Sequence, residues 1–326
     1  MKSIFFYILL FACYGSAGQG VTDNDFNFQD IHLFKNIKTQ KMLEVEDGPI
    51  NKGSRVQQYF AYARNGLTDG YNQQWLIIPA GRRNGQFVFH IINYGFLKYL
   101  DSQLPLKVEE GNGGDNQLWV FQRSGSNWLI KSFLAEQFLE IPNGVLNDGA
   151  AFSIGPYTGE ANQQFILTRY AGQTGPGTGM VGQPVNIMPA YANSKALDAT
   201  GASVNGTQVT IRDMGRGDIK QQWQFNLNSN YFELRPRMAL TKCAAVSGLS
   251  MEDDAQTVCW DCVNNPNEKW IIIPVIRQRG KFIFFNRNSG KCLAVAGGNA
   301  TANGTGIIQH TYNNQENCKW LFQPAR

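Results

Sequence analysis

The sequence predicts an all-β protein built as two closed three-repeat barrels in tandem. Three observations predict it. A polar residue, any residue and then a large aromatic recur in that order six times along the 326-residue chain. A second short motif, Leu-acid in four of its six copies, precedes each aromatic, and in four copies the distance is 26 or 27 residues. A single Gly/Pro-rich stretch interrupts the series after the third copy. Composition agrees with this reading. The chain is 43% hydrophobic, enough for packed cores, and only 17% charged, with 34 glycines. That balance suits turn-rich β structure and excludes a wholly disordered chain. The net charge of +4 is spread without a basic block, so nucleic acid is not an expected partner.

The N-terminus opens with Lys2 and the apolar run Ile4–Cys13, followed by the small residues Ser16 and Ala17. This is the layout of a secretory signal peptide over residues 1–17, cleaved after Ala17. A membrane anchor would need about 20 apolar residues, and this run is shorter. No later stretch is long enough for a membrane span. The expected localisation is secreted and extracellular.

The repeats then follow in order. Their aromatic motifs are Gln73-Gln74-Trp75, Gln117-Leu118-Trp119, Gln163-Gln164-Phe165 and Gln221-Gln222-Trp223, with the weaker Glu268-Lys269-Trp270 and Cys318-Lys319-Trp320. The aromatics lie 44, 46, 58, 47 and 50 residues apart. The upstream motifs are Met42–Val45, Tyr99–Asp101, Phe138–Ile141, Ala196–Asp198, Cys243–Val246 and Cys292–Val295. From the second residue of each motif to its aromatic the distances are 32, 19, 26, 26, 26 and 27 residues. The first repeat therefore carries an insertion and the second a deletion. Short apolar runs such as Phe87–Phe89, Trp128–Ile130 and Phe282–Phe284 follow the aromatics between Gly, Asn and Ser turns, the pattern of strands. A unit of this size cannot bury its own apolar face, and three of them around a pseudo-threefold axis close a barrel. Residues 171–184, AGQTGPGTGMVGQP, read as the linker. The domains are then 18–170 and 185–326. A single six-bladed propeller is the rival, and the mid-chain linker argues against that closed ring.

These paired motifs resemble the ricin B-type lectins, and the resemblance covers essentially the whole chain after the signal peptide. It implies two tandem β-trefoil domains. It also implies that the Gln and Trp of the motif mainly build the fold, and that sugar recognition falls to other residues. A carboxylate or amide takes hydrogen bonds from adjacent hydroxyls, and an aromatic face stacks on the apolar side of the sugar ring. By resemblance each repeat should hold an acid in the Leu-acid motif, an aromatic about ten residues before the Trp, and an Asn just before the Gln.

No repeat matches fully. The first has Glu44, Tyr59, Asn72 and Gln73. The second has Asp101, Asn116 and Gln117, with Glu109 at the aromatic place. The third has Glu140, Asn162 and Gln163, with Gly155 at that place and Tyr157 nearby. The fourth has Asp198 and Gln221, with Arg212 for the aromatic and Lys220 for the Asn. The fifth has Trp260 and Asn267 but Ala245 for the acid. The sixth has His310 and Asn317 but Ala294 for the acid. The expected order is the first repeat, then the second and fourth. Each acid has a competing role as a turn carboxylate.

Five cysteines follow the signal segment, all in the C-terminal half. In an oxidising compartment they read first as disulfides; Cys259 and Cys262 form a single CxxC, a weak zinc signal without a second pair. The resemblance implies Cys243–Cys262, and leaves Cys318 as an alternative partner for Cys292 and Cys259 as the free thiol. Sequons at Asn205, Asn299 and Asn303 are expected glycosylation sites. No metal or cofactor is expected. His32, His90 and His310 are scattered, and no HExxH, GxSxG or phosphate-binding loop is present, so no enzyme is expected. The expectation is a secreted lectin with glycans or glycoproteins as partners. The alternative is a trefoil scaffold that binds a protein, as an inhibitor or toxin component.

Overall fold

The computed structural model describes residues 21, 25–46, 54–61, 70–170 and 180–325. The expected signal peptide lies outside the described residues, as does most of the linker. The part of the linker that is described already belongs to the second domain: Met180 and Val181 pack on its core, and Val181 bridges Phe225.

Each domain is a closed six-strand ring with hairpins at one end. In the first, strands His32–Asn36, Trp75–Arg83, Gln86–Asn93, Trp119–Ser124, Asn127–Ser132 and Phe165–Arg169 pair in sequence, and the last returns to the first. In the second, Pro184–Pro189, Trp223–Asn228, Tyr231–Pro236, Trp270–Pro274, Lys281–Asn286 and Trp320–Pro324 do the same. Closure removes the exposed sheet edges that each unit would otherwise present. The Leu-acid motifs form the hairpins outside the rings, such as Met42–Val45 with Ser54–Tyr59 and Lys242–Val246 with Thr257–Asp261. This is the two-trefoil architecture expected from the sequence.

The coupling of the two motifs has a simple cause. Each motif Trp opens a ring strand and is fully buried. Its indole N–H must find an acceptor there. Trp75, Trp119, Trp223 and Trp270 each donate to a hairpin carbonyl at 2.9 Å, those of Leu43, Leu100, Leu197 and Ala244; Trp320 donates to that of Leu293 at 3.0 Å. The acceptor is always the residue just before the acid position. Phe165 fills the same buried place without the bond. A second recurring tie was not read from the sequence. The amides of Asn36, Asn93, Asn186 and Asn286 donate from ring strands to backbone carbonyls of Asn162, Asn72, Gln221 and Asn267, in the turns just before the motif aromatics. The ring hairpin between Arg83 and Gln86 turns through Asn84 and Gly85, both at positive φ, the two-residue turn that matches strand twist.

The apolar core of the first trefoil continues across the seam into the second, which also has a core of its own around Trp223, Trp270 and Trp320. Phe28 stacks on Tyr231 with ring centroids 5.5 Å apart, and Phe26, Ile271, Ile273 and Phe285 lie in the same cluster. Gln29 donates to the Asn230 carbonyl and accepts from the Ile272 N–H, while Asn230 donates to the Phe26 carbonyl. Gly290 sits so close to His90 that an added Cβ would be 2.8 Å from the imidazole.

Candidate functional site

The hairpin register explains which side chains can meet. Side chains two apart on a strand share a face. The acid positions Glu44, Asp101, Glu140, Asp198, Ala245 and Ala294 pair across the hairpin with Gln57, Lys107, Ser153, Thr210, Val258 and Ile308. Two residues further on lie Tyr59, Glu109, Gly155, Arg212, Trp260 and His310. The sequence-derived aromatic places are therefore equivalent in all six repeats.

The acids differ in what holds them. Glu44 is 1% exposed, and its two oxygens accept from Gln57 Nε2 at 2.9 Å and Gln73 Nε2 at 2.7 Å. Asn72 donates to the Val45 carbonyl. Tyr59 is half-buried, with its ring 4.8 Å from that of Phe60, which is 50% exposed and which the sequence reading overlooked. Asp101 is also buried; Oδ1 accepts from the Gln103 N–H, and Oδ2 accepts from Asn116 and Gln117. Asp198 is buried with Oδ1 on the Thr200 N–H and Oδ2 on Gln221, and the Arg212 guanidinium lies 3.7 Å away. All three carboxylates are engaged from inside the protein. They orient the motif glutamines, whose Nε2 also donates to the carbonyls of Phe60, Glu110 and Asp213.

The third repeat, which does not stand among the three expected first from the sequence, is more open. Glu140 is half-buried; Oε2 accepts from Gln163 Nε2 at 2.8 Å, and Oε1 has no hydrogen-bond partner among the described residues. Gly155 makes this possible, because a Cβ there would lie 2.6 Å from Glu140 Oε1. The exposed aromatic of this repeat is Tyr157, which is 58% exposed with its ring 5.2 Å from Phe138. The fifth repeat is open in another way. Trp260 is 45% exposed beside a groove of about 290 Å³, floored by Ala245 and Val258.

The disulfides are Cys243–Cys262 and Cys292–Cys318. Cys259 is free and buried, and burial pushes its thiol up to about 12. With Cys262 in a disulfide, the CxxC is not a chelating pair. Asn205, Asn299 and Asn303 are all exposed. Asn205 and Asn303 are tied at their amide nitrogens to Asp261 and Asp213, each at 2.6 Å. Among the described residues no helix is long and apolar enough to cross a membrane.

A family model of the ricin-type β-trefoil lectin domain matches residues 115–212, 219–310 and 277–326. No curated protein matches the chain. Among solved structures it is similar to the designed threefold-symmetric protein ThreeFoil, at 26% identity over 43% of this chain and 96% of that one, TM-score 0.39. It is similar to the ricin B-like lectin of Macrolepiota procera in complex with lactose, at 19% identity over 44% of this chain and 96% of that one, TM-score 0.38. A mosquitocidal holotoxin is similar at 15% identity and TM-score 0.41 over 91% of this chain, which spans 34% of the toxin's length. The match of the family model to more than half of its residues places this chain in the ricin-type β-trefoil lectin domain-like family.

Proposed function

We propose that this protein is a secreted carbohydrate-binding protein that holds glycans at shallow sites on its hairpins and does not turn them over. The observation that carries the reading is the third repeat. There the Gln163 amide orients the Glu140 carboxylate and leaves Oε1 unpartnered, on the hairpin strand whose Phe138 packs against the exposed Tyr157. A carboxylate oxygen able to accept from hydroxyls, with an aromatic face near it, supplies both components of sugar recognition. Glu44, Asp101 and Asp198 need a rearrangement of their internal hydrogen bonds before they can serve in the same way. Secretion is supported by Lys2, the Ile4–Cys13 run and the two disulfides.

A glycan array probed with the disulfide-intact protein tests the function. Competable binding, with dissociation constants on the order of millimolar for single sugars, is expected to fall at least tenfold in Glu140→Gln and in Tyr157→Ala. A blank array from folded protein refutes the reading for the glycans displayed. The burial of three of the four acids favours a second reading, a scaffold that binds a protein partner; pull-down insensitive to both substitutions supports it. N-terminal sequencing of exported protein should begin at Gly18.

A further inference from the structure

The three sequons are alike in the sequence and unlike in the fold. Asn205 and Asn303 occupy equivalent Asn-Gly turns. Gly206 and Gly304 both have a φ of 86°, and their N–H groups donate to the Cys259 and Ile211 carbonyls of a neighbouring repeat. In each turn the Asn amide grips one aspartate with both ends. Asn205 Oδ1 accepts from the Asp261 N–H at 2.9 Å, while Nδ2 donates to Asp261 Oδ2 at 2.6 Å. Asn303 does the same with Asp213, at 2.7 and 2.6 Å. Lys242 and Lys195 complete the two clasps, each donating to the Asn Oδ1 and the Asp Oδ1. The fifth and third repeats put Asp253 and Asp148 at this place. There the N–H groups of Asp254 and Gly149 donate to the Gln309 and Gln58 carbonyls, and the two acids clasp Lys291 and Lys41. Neither acid can carry an N-linked sugar, so the place joins repeats whether an amide or a carboxylate fills it.

The two-pronged grip fixes which amide hydrogen is used. Oδ1 and Nδ2 reach the same residue, so the engaged hydrogen lies on the Oδ1 side of the C–N bond. A substituted amide is planar and trans, which puts its N-substituent in that same position. The sugar carbon of an N-glycan would replace the hydrogen that Asp261 or Asp213 accepts, and the clasp could not close. Asn299 differs. It is exposed, no hydrogen bond holds it among the described residues, and a Cβ added at Gly298 would meet nothing within 4 Å. Tyr191 anchors its loop by donating to the Ala300 carbonyl at 2.7 Å. We propose that Asn299 is the N-glycosylated residue of this chain, and that Asn205 and Asn303 stay unmodified because their amides lock neighbouring repeats together. The proposal rests on the export part of the reading above. The transfer forms the bond from Asn299 Nδ2 to the sugar C1 and breaks the C1–O bond to a polyprenyl diphosphate carrier. The carrier leaves as the diphosphate, and the amide proton passes to a base of the oligosaccharide transferase.

The test expresses the full-length chain in cultured eukaryotic cells. Protein from the medium is read by N-terminal sequencing and by peptide mass mapping after glycosidase release in heavy-oxygen water. Exported protein beginning at Gly18 should carry glycan at Asn299 and lose it entirely in Asn299→Gln. Asp261→Ala alters a half-exposed residue and frees the Asn205 amide. With its fold checked by circular dichroism, that variant should raise occupancy at Asn205 severalfold and leave Asn303 unmodified. Glycan on Asn205 or Asn303 of folded, exported wild-type protein overturns the proposal, as does an unmodified Asn299. No rise at Asn205 in Asp261→Ala overturns the clasp as the cause. In each of these cases a start at Gly18 leaves the export reading standing. A chain retained in the cell with Met1 intact overturns both.

Discussion

At the scale of single residues, the five motif tryptophans explain why the repeat is legible at all. Each indole fills core and donates to one carbonyl, so the hairpin and ring strand cannot slide relative to each other. Trp223→Phe removes the donor and leaves the Leu197 carbonyl unmatched in a dry core. The expected loss is about 2–3 kcal/mol, measured as a lower urea midpoint at unchanged slope. Phe165 shows that the ring position itself accepts a phenyl group. The candidate sites were less legible, for a physical reason. The sequence shows that Glu44, Asp101, Glu140 and Asp198 are acids at one hairpin position, but not whether their oxygens are already bonded. That depends on neighbours brought together by pairing, such as Gln57 beside Glu44 and Gly155 beside Glu140. The gap at Gly155 looks like a missing aromatic in the sequence; in the fold it is the space that the Glu140 carboxylate occupies.

At the scale of elements, the hairpins of the two trefoils are secured differently. The Cys243–Cys262 bridge closes the fifth hairpin over a separation of 19 residues, and Cys292–Cys318 ties the sixth hairpin to its turn over 26. By chain entropy each contributes about 3 kcal/mol. The first trefoil has no cysteine and depends on packing and on the side-chain ties at each turn. Cys262→Ser is therefore expected to lower the stability of the second trefoil by about 3 kcal/mol. Hydrogen exchange should show faster opening in Thr257–Asp261, with little change in Asn127–Ser132. The family resemblance implies Cys243–Cys262; for Cys292 the family's partner place is taken by Tyr312, and the alternative partner, Cys318, is the one it pairs with, which leaves Cys259 free. The Asn36 and Asn93 ties were not legible in the sequence, because an isolated Asn at a strand end carries no periodic signal.

At the scale of the whole molecule, the seam between trefoils governs behaviour that neither trefoil has alone. His90 is buried there, with Tyr99 edge-on at 4.9 Å and Nδ1 3.0 Å from the Gln117 carbonyl. Burial pushes its pKa down to about 4, and the Lys291 and Arg83 cations act in the same direction. The folded protein thus excludes a proton that the unfolded chain binds below about pH 6.5. Stability is fully present above pH 6.5 and falls as pH drops toward 4, by a limit of about 3 kcal/mol for this group. His32, also buried and lowered to about 4, adds a loss of the same sign. Urea midpoints measured from pH 7.5 to 4.5 should decline, and His90→Gln should flatten the decline by roughly half. The seam also predicts the outcome of cutting the chain. A protease site introduced between Gly175 and Pro176 should, after cleavage, leave the two halves co-eluting in size-exclusion chromatography; separate peaks would refute a core that crosses the seam.

The core that crosses the seam has a consequence for what the molecule can recognise. Two modules on a loose tether sample many separations, and their joint avidity changes little with the spacing of their targets. Modules fused through Phe28 and Tyr231 hold Tyr157 and Trp260 at one separation and one orientation. On the carbohydrate-binding reading proposed above, such a molecule measures distance. Its gain from two-point attachment should peak for glycans whose branches match that span and vanish for those that cannot bridge it, so branch geometry becomes part of its specificity alongside the identity of the terminal sugar.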